Sequence, residues 1–271
     1  MEIRSPAVAG RFYPGTPTKI AEELRALMPA AAPRAAAAVM CPHAGWVYSG
    51  KIAGGVLAQI DVPARVIVLC PNHTGRGARV SIMTSGAWRT PVGDVPVDEE
   101  LAAILVEESQ SIRGARADRA AHEGEHAIEV LVPMLLARQP ALTMTPVVVG
   151  PLDTGECTAL GHAIARAVER VTDRVLVVAS SDMSHYLPDP ETRRRDKLAL
   201  AALVSGDEAA LMHVCDEHEV SMCGVRPAAA MLAYVRARKA GAPELVGYAT
   251  SGDAFGDRSS VVGYAGVIVP P

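Results

Sequence analysis

Five short runs of almost wholly apolar residues constrain this chain most: "AAAAVMC" (35–41), "RVIVLC" (65–70), "TPVVVG" (145–150), "RVLVVASS" (174–181) and "SVVGYAGVIVP" (260–270). A strand with one face in water alternates apolar and polar residues. These runs do not, so they suit strands covered on both sides. Longer stretches of helical period separate them. In "TPTKIAEELRALMP", Ile20, Leu24 and Leu27 share a face, Thr16 is available as the cap, Pro17 takes the first helical position and Pro29 stops the helix. Helices are also expected over 50–60, 97–109, 124–138, 154–170, 191–203, 207–214 and 224–240. The fold class is α/β: a layered domain with a central, largely parallel or mixed sheet flanked by helices.

No internal repeat, low-complexity linker or shift in composition divides the 271 residues, so a single domain over 1–271 is expected. Apolar residues make up 49% and charged residues 21%, enough apolar side chain for a sizeable core. A net charge of -4 offers no broad basic field for nucleic acid or an anionic membrane. No apolar stretch reaches the roughly 18 residues of a membrane span, and the N-terminus lacks a leader pattern. A cytoplasmic location is the expectation. The five cysteines (41, 70, 157, 215, 223) form no CxxC pair and are odd in number, which argues for reduced, mostly buried thiols.

Three of the apolar runs end in the same way. "CPHAG" puts His43 just beyond a strand end, "CPNHTG" does so with His73, and "SSDMSHY" places Asp182 and His185 in a third such loop. Loops leaving the carboxyl ends of parallel strands share one sheet edge, where ligands collect. Pro42 and Pro71 should end their strands just before the histidines, with Gly45 and Gly75 turning the backbone away. One imidazole in such a loop would be an ordinary polar residue; three at three strand ends can converge. Two histidines with an anion form an open transition-metal site, and Asp182, Glu125, Glu129, Asp257 and Cys223 are the candidate anions.

Two further segments offer polar chemistry. A helix from about residue 124 would set His126 and Glu129 three apart on one face, where Glu129 either holds an imidazole by its distal nitrogen or makes a surface pair. His122, just before it, reads as a solvated loop residue. Cys223, in "SMCGVRPAAAML", precedes a helix start that would favour a thiolate, as ligand or nucleophile; a buried inert thiol is the alternative. Neither a GxSxG elbow nor a phosphate-binding glycine pattern is present, so the serines of "SSDMSH" carry little case for hydrolysis.

In order along nearly the whole chain, "AVAGRFYPG", "CPHAGWVYSG", "PNHTG", "GEHAIEVLVPML", "SSDMSHY", "MCGVRPAAAML" and "DRSSVVGYAGV" resemble the Memo family, including its bacterial members called AmmeMemoRadiSam system protein B. That family looks structurally like the class III extradiol dioxygenases. The resemblance implies metal ligation by His43, His73 and Cys223, the last where the dioxygenases carry a carboxylate. It also implies an acid/base role for His185 beside Asp182. Fe(II) is the metal implied, with copper or zinc as alternatives because thiolate is softer than carboxylate. Tyr48 and Trp46 are expected in the pocket wall, with His126 and Glu129 behind it and Arg11 offering a cation to an anionic substrate or forming a structural salt bridge. The function implied is a metal-dependent redox protein with a dioxygenase-like site; the alternative is a non-catalytic adaptor keeping a vestigial pocket. A small-molecule or peptide ligand is expected, and the family name suggests radical-SAM and AMMECR-type partner proteins.

Overall fold

A computed structural model describes residues 2–271. In chain order the elements are β1 (Ile3–Arg4), α1 (Pro17–Leu27), β2 (Ala38–Cys41), α2 (Trp46–Ala58), β3 (Arg65–Pro71), β4 (Val80–Ile82), β5 (Ala87–Thr90), β6 (Gly93–Pro96), α3 (Glu99–Glu108) and β7 (Ala115–Ala117). There follow α4 (Val132–Arg138), β8 (Thr143–Val149), α5 (Thr154–Glu169), β9 (Val175–Ser180), β10 (His185–Leu187), α6 (Asp189–Val204), α7 (Glu208–Glu217), α8 (Val225–Ala237), β11 (Glu244–Thr250), α9 (Ser251–Phe255) and β12 (Val261–Val269).

The five apolar runs form the centre of one nine-stranded sheet, ordered β10-β12-β2-β9-β3-β8-β4-β7, with β11 also paired to β12. β2, β9, β3 and β8 run parallel, whereas β12 and β4 join antiparallel, so the sheet is mixed. A three-stranded sheet, β1-β5-β6, stands apart. α2, with α1 and α4, packs over β2, β11 and β12; α8, with α5 and α7, packs over β2, β3 and β9. That two-sided cover is why Val66 to Cys70 and Leu176 to Ala179 are buried at every position without alternating. α5 and α8 approach closely at Gly161, where a Cβ would lie 2.5 Å from Ala230 O.

The register determines what meets at the sheet edge. Cys41 pairs with Ser180, and Leu69 with Ala179. Residues two beyond Cys41 and Ser180 are therefore neighbours: the His43 N–H donates to Asp182 Oδ1 at 2.8 Å.

Local structure differs from expectation in three places. Thr16 occupies the N-cap of α1 but its side chain makes no capping bond. Pro71 is the last residue of β3, paired with Val149, rather than the residue that ends it. The helix expected over 124–138 is only Val132–Arg138, opening on Pro133; residues 119–131 form irregular turns. The Glu125 carboxylate accepts from the N–H groups of His126 and Ala127 within these turns.

Candidate metal centre

Three histidines from three separate segments meet at this edge. Ligand atoms of His43, His73 and His126 all lie within 4.8 Å of one another. The His43 and His73 rings stand edge to face at 5.2 Å, and those of His73 and His126 are stacked at 4.6 Å. His43 follows β2, His73 follows β3, and His126 hangs on the turn before α4. Burial holds His43 well below the usual imidazole range, and the nearby His73 and His126 add to it. His126 is lowered by burial as well. Both rings are therefore neutral at pH 7, the state in which an imidazole can donate a lone pair to a metal.

Two of the rings have a hydrogen-bond partner behind them. His43 Nδ1 lies 2.7 Å from Ser180 Oγ, and His73 Nδ1 lies 2.9 Å from Glu125 Oε1. His126 Nδ1 is 3.4 Å from that same oxygen. Burial pushes the Glu125 carboxyl up, but hydrogen bonds and charge from His73 and backbone N–H groups outweigh it and hold the group below its ordinary value. Three imidazole nitrogens, with a carboxylate and a hydroxyl behind two of the rings, suit a borderline divalent metal such as Fe(II), Cu(II) or Zn(II). The donor set fits a metal.

Cys223 is adjacent. Its Sγ is 3.3 Å from His43 Nε2 and accepts from the Asp182 N–H at 3.2 Å. Gly224, immediately after it, brings the start of α8 against the end of β9; a Cβ there would lie 2.4 Å from Ser180 O. Burial pushes the Cys223 thiol up, with the Asp182 charge adding to it. The mutually close group is His43, His73 and His126, and His126 stands inside it rather than behind it.

Asp182 and His185 line the same cavity, of about 930 Å3, along with Arg11, Tyr48 and Asp257. Burial raises the Asp182 carboxyl to about 6. His185 Nδ1 is 2.9 Å from Ser221 O, and its N–H donates to Ser221 Oγ. Arg11 forms no ion pair among the described residues; its guanidinium donates to Ala7 O. Asp257 accepts from Ser259 at the exposed mouth.

Two expected pocket residues lie elsewhere. Trp46 is buried at the start of α2 and donates its indole N–H to Val130 O, because a buried indole needs an acceptor. Glu129 holds no imidazole. It pairs with Arg4 and accepts from the N–H groups of Ala7 and Val8 and the Tyr13 hydroxyl, tying the N-terminal segment to the turn that carries His126. His122 is not solvated: it is fully buried against Trp88, with Nε2 on Ser81 O. In the sequence Ser180 is only one of the serines of "SSDMSH" and Ser221 belongs to no motif, because serine is common at strand ends and in loops; Glu125 is a candidate anion there, but its bond to the His73 ring spans 52 positions and leaves no local signal.

The Memo-like protein family matches residues 4–268. The chain belongs to that family. A MEMO1 family protein of Methanopyrus kandleri is 38% identical, with 98% of each chain covered. One from Archaeoglobus fulgidus is 39% identical over 98% of this chain and 99% of its own. Among solved structures, an uncharacterized protein from Escherichia coli K12 superposes with a TM-score of 0.52 at 14% identity, covering 84% of this Memo-like chain and 98% of the other. That likeness shows the fold.

Proposed function

We propose that this Memo-like protein binds a redox-active metal, Fe(II) in the first instance with copper or zinc as competitors, and works as a dioxygenase-like oxidoreductase. The observation that carries this is the meeting of His43, His73 and His126 within 4.8 Å at the floor of a large cavity. These imidazoles would hold the ion with Cys223 beside them, and the bound metal would supply a redox centre with open positions for a ligand. With Nδ1–H directed to Ser221 O, His185 keeps Nε2 to take or return a substrate proton. Asp182, raised toward 6 by burial, is the second proton-holding group facing that space. Apolar walls, including Phe12, Val262 and Tyr264, limit water around it.

The mouth supports a ligand with an apolar body. Of five exposed large apolar side chains among the described residues, Val47, Tyr48, Tyr186 and Phe255 line this cavity, leaving only Leu245 elsewhere. Exposed apolar surface gathered in one place marks a binding site. The same patch favours the second reading, an adaptor that takes a small molecule or peptide without turnover. Radical-SAM and AMMECR-type proteins are proposed partners, to be sought by co-purification.

Elemental analysis of anaerobically purified protein tests the metal. Wild type is expected to retain iron or copper, and the His43→Ala/His73→Ala double variant to retain none while folding normally; equal metal in both would exclude the assignment. Oxygen consumption that depends on His185 would favour the enzyme, and metal binding without turnover the adaptor.

A further inference from the structure

An imidazole ligates only through a ring nitrogen that carries a lone pair, so the location of each ring proton decides whether three adjacent histidines can act together. We propose that Ser180 and Glu125 are positioning residues that hold the Nδ1–H of His43 and of His73 away from the cavity and leave Nε2 of each as the donor atom; this rests on the metal-centre reading above and assigns groups which that reading does not.

Ser180 Oγ lies 2.8 Å from Ala127 O and 2.7 Å from His43 Nδ1. A hydroxyl has one proton and a carbonyl has none, so Ser180 donates to Ala127 and must accept from His43 Nδ1–H. The nitrogen left bare is Nε2, the one that faces Cys223 Sγ at 3.3 Å. Glu125 is fully buried in a cage of N–H groups. Its Oε1 accepts from the backbone of His126 at 2.9 Å and Ala127 at 3.0 Å, and its Oε2 from the backbone of His73 at 2.7 Å. Surrounded by donors, the carboxylate can only accept, so His73 Nδ1, 2.9 Å from Oε1, carries its proton there. The carboxylate thus serves His73, and Ala127, which donates to it and accepts from Ser180, links it to the serine that serves His43.

The test is nitrogen NMR of metal-free protein labelled with 15N-histidine, together with Zn(II) affinity measured by competition with a chromophoric chelator. Wild type is expected to show His43 and His73 as Nδ1–H tautomers. Ser180→Ala should convert His43, wholly or in part, to Nε2–H while sparing His73. Glu125→Gln should disturb the His73 tautomer while sparing His43. Each variant should bind Zn(II) about 10- to 100-fold more weakly. Unchanged tautomers in Ser180→Ala, or shifted tautomers with unchanged Zn(II) affinity, would overturn the proposal, and Ser180→Ala decides it even where Glu125→Gln fails to fold. A wild type that takes up no metal would remove the metal-centre reading, while the tautomer comparison would still judge the positioning one.

Discussion

Glu129 carries a charge with no access to water, and its four partners all come from residues 4–13. A buried carboxylate is tolerated only when paired and fully hydrogen-bonded, and removing one partner strands the other charge. Glu129→Ala is therefore expected to destabilise the fold by about 3–5 kcal/mol, read from denaturant unfolding. No local pattern disclosed this role, since Arg4 is 125 positions away in sequence. His43 and His73 were legible for the opposite reason: each follows its own strand by a few residues, so the strand end alone places it. His126 was legible as polar chemistry but not as part of the cluster, because its position depends on a turn held by side chains from elsewhere.

At the scale of elements, the start of α8 is set by contact rather than by helix propensity. A Cβ at Gly224 would meet Ser180 O at 2.4 Å and Ser181 Cβ at 2.5 Å. Gly224→Ala should cost about 1–3 kcal/mol in a denaturant titration, as overpacked sites do, and should shift Cys223 away from His43. A second contact joins α6 to α9. Asp189 accepts from Arg193, Thr250 and Arg258, while Asp253 takes the other arms of both arginines. The bond from Arg193, ahead of those from Thr250 and Arg258, holds the Asp189 carboxyl at about 2. Its folded value lies below the ordinary carboxyl range, so the stabilisation is complete above about pH 4 and fades as pH falls toward 2. Asp189→Asn should flatten that acid limb of a stability-versus-pH curve; an unaltered limb would show that the clasp contributes nothing there.

Across the whole molecule, thiol access reports on how the core and the site divide. Cys41, Cys70, Cys157 and Cys215 are buried, and Cys223 alone is partly exposed, in the cavity. A thiol reagent should label one cysteine in the native protein and all five after unfolding, with Zn(II) slowing the native reaction. Rapid labelling of a second native thiol would contradict the burial.

The sequence by itself determined the layered α/β class, the five central strands and the presence of imidazoles at their ends, because continuous apolar runs and the residues that stop them are local patterns. The outlying strands β4 to β7, β10 and β11 carried no such signal, being short, mixed in composition or half exposed. The tertiary structure alone decided that His126 joins His43 and His73, that Glu129 turns to Arg4, and that Trp46 faces the core. Those outcomes depend on buried polar groups finding partners across long sequence separations, and each partner is available only once the sheet register has brought the strand ends together.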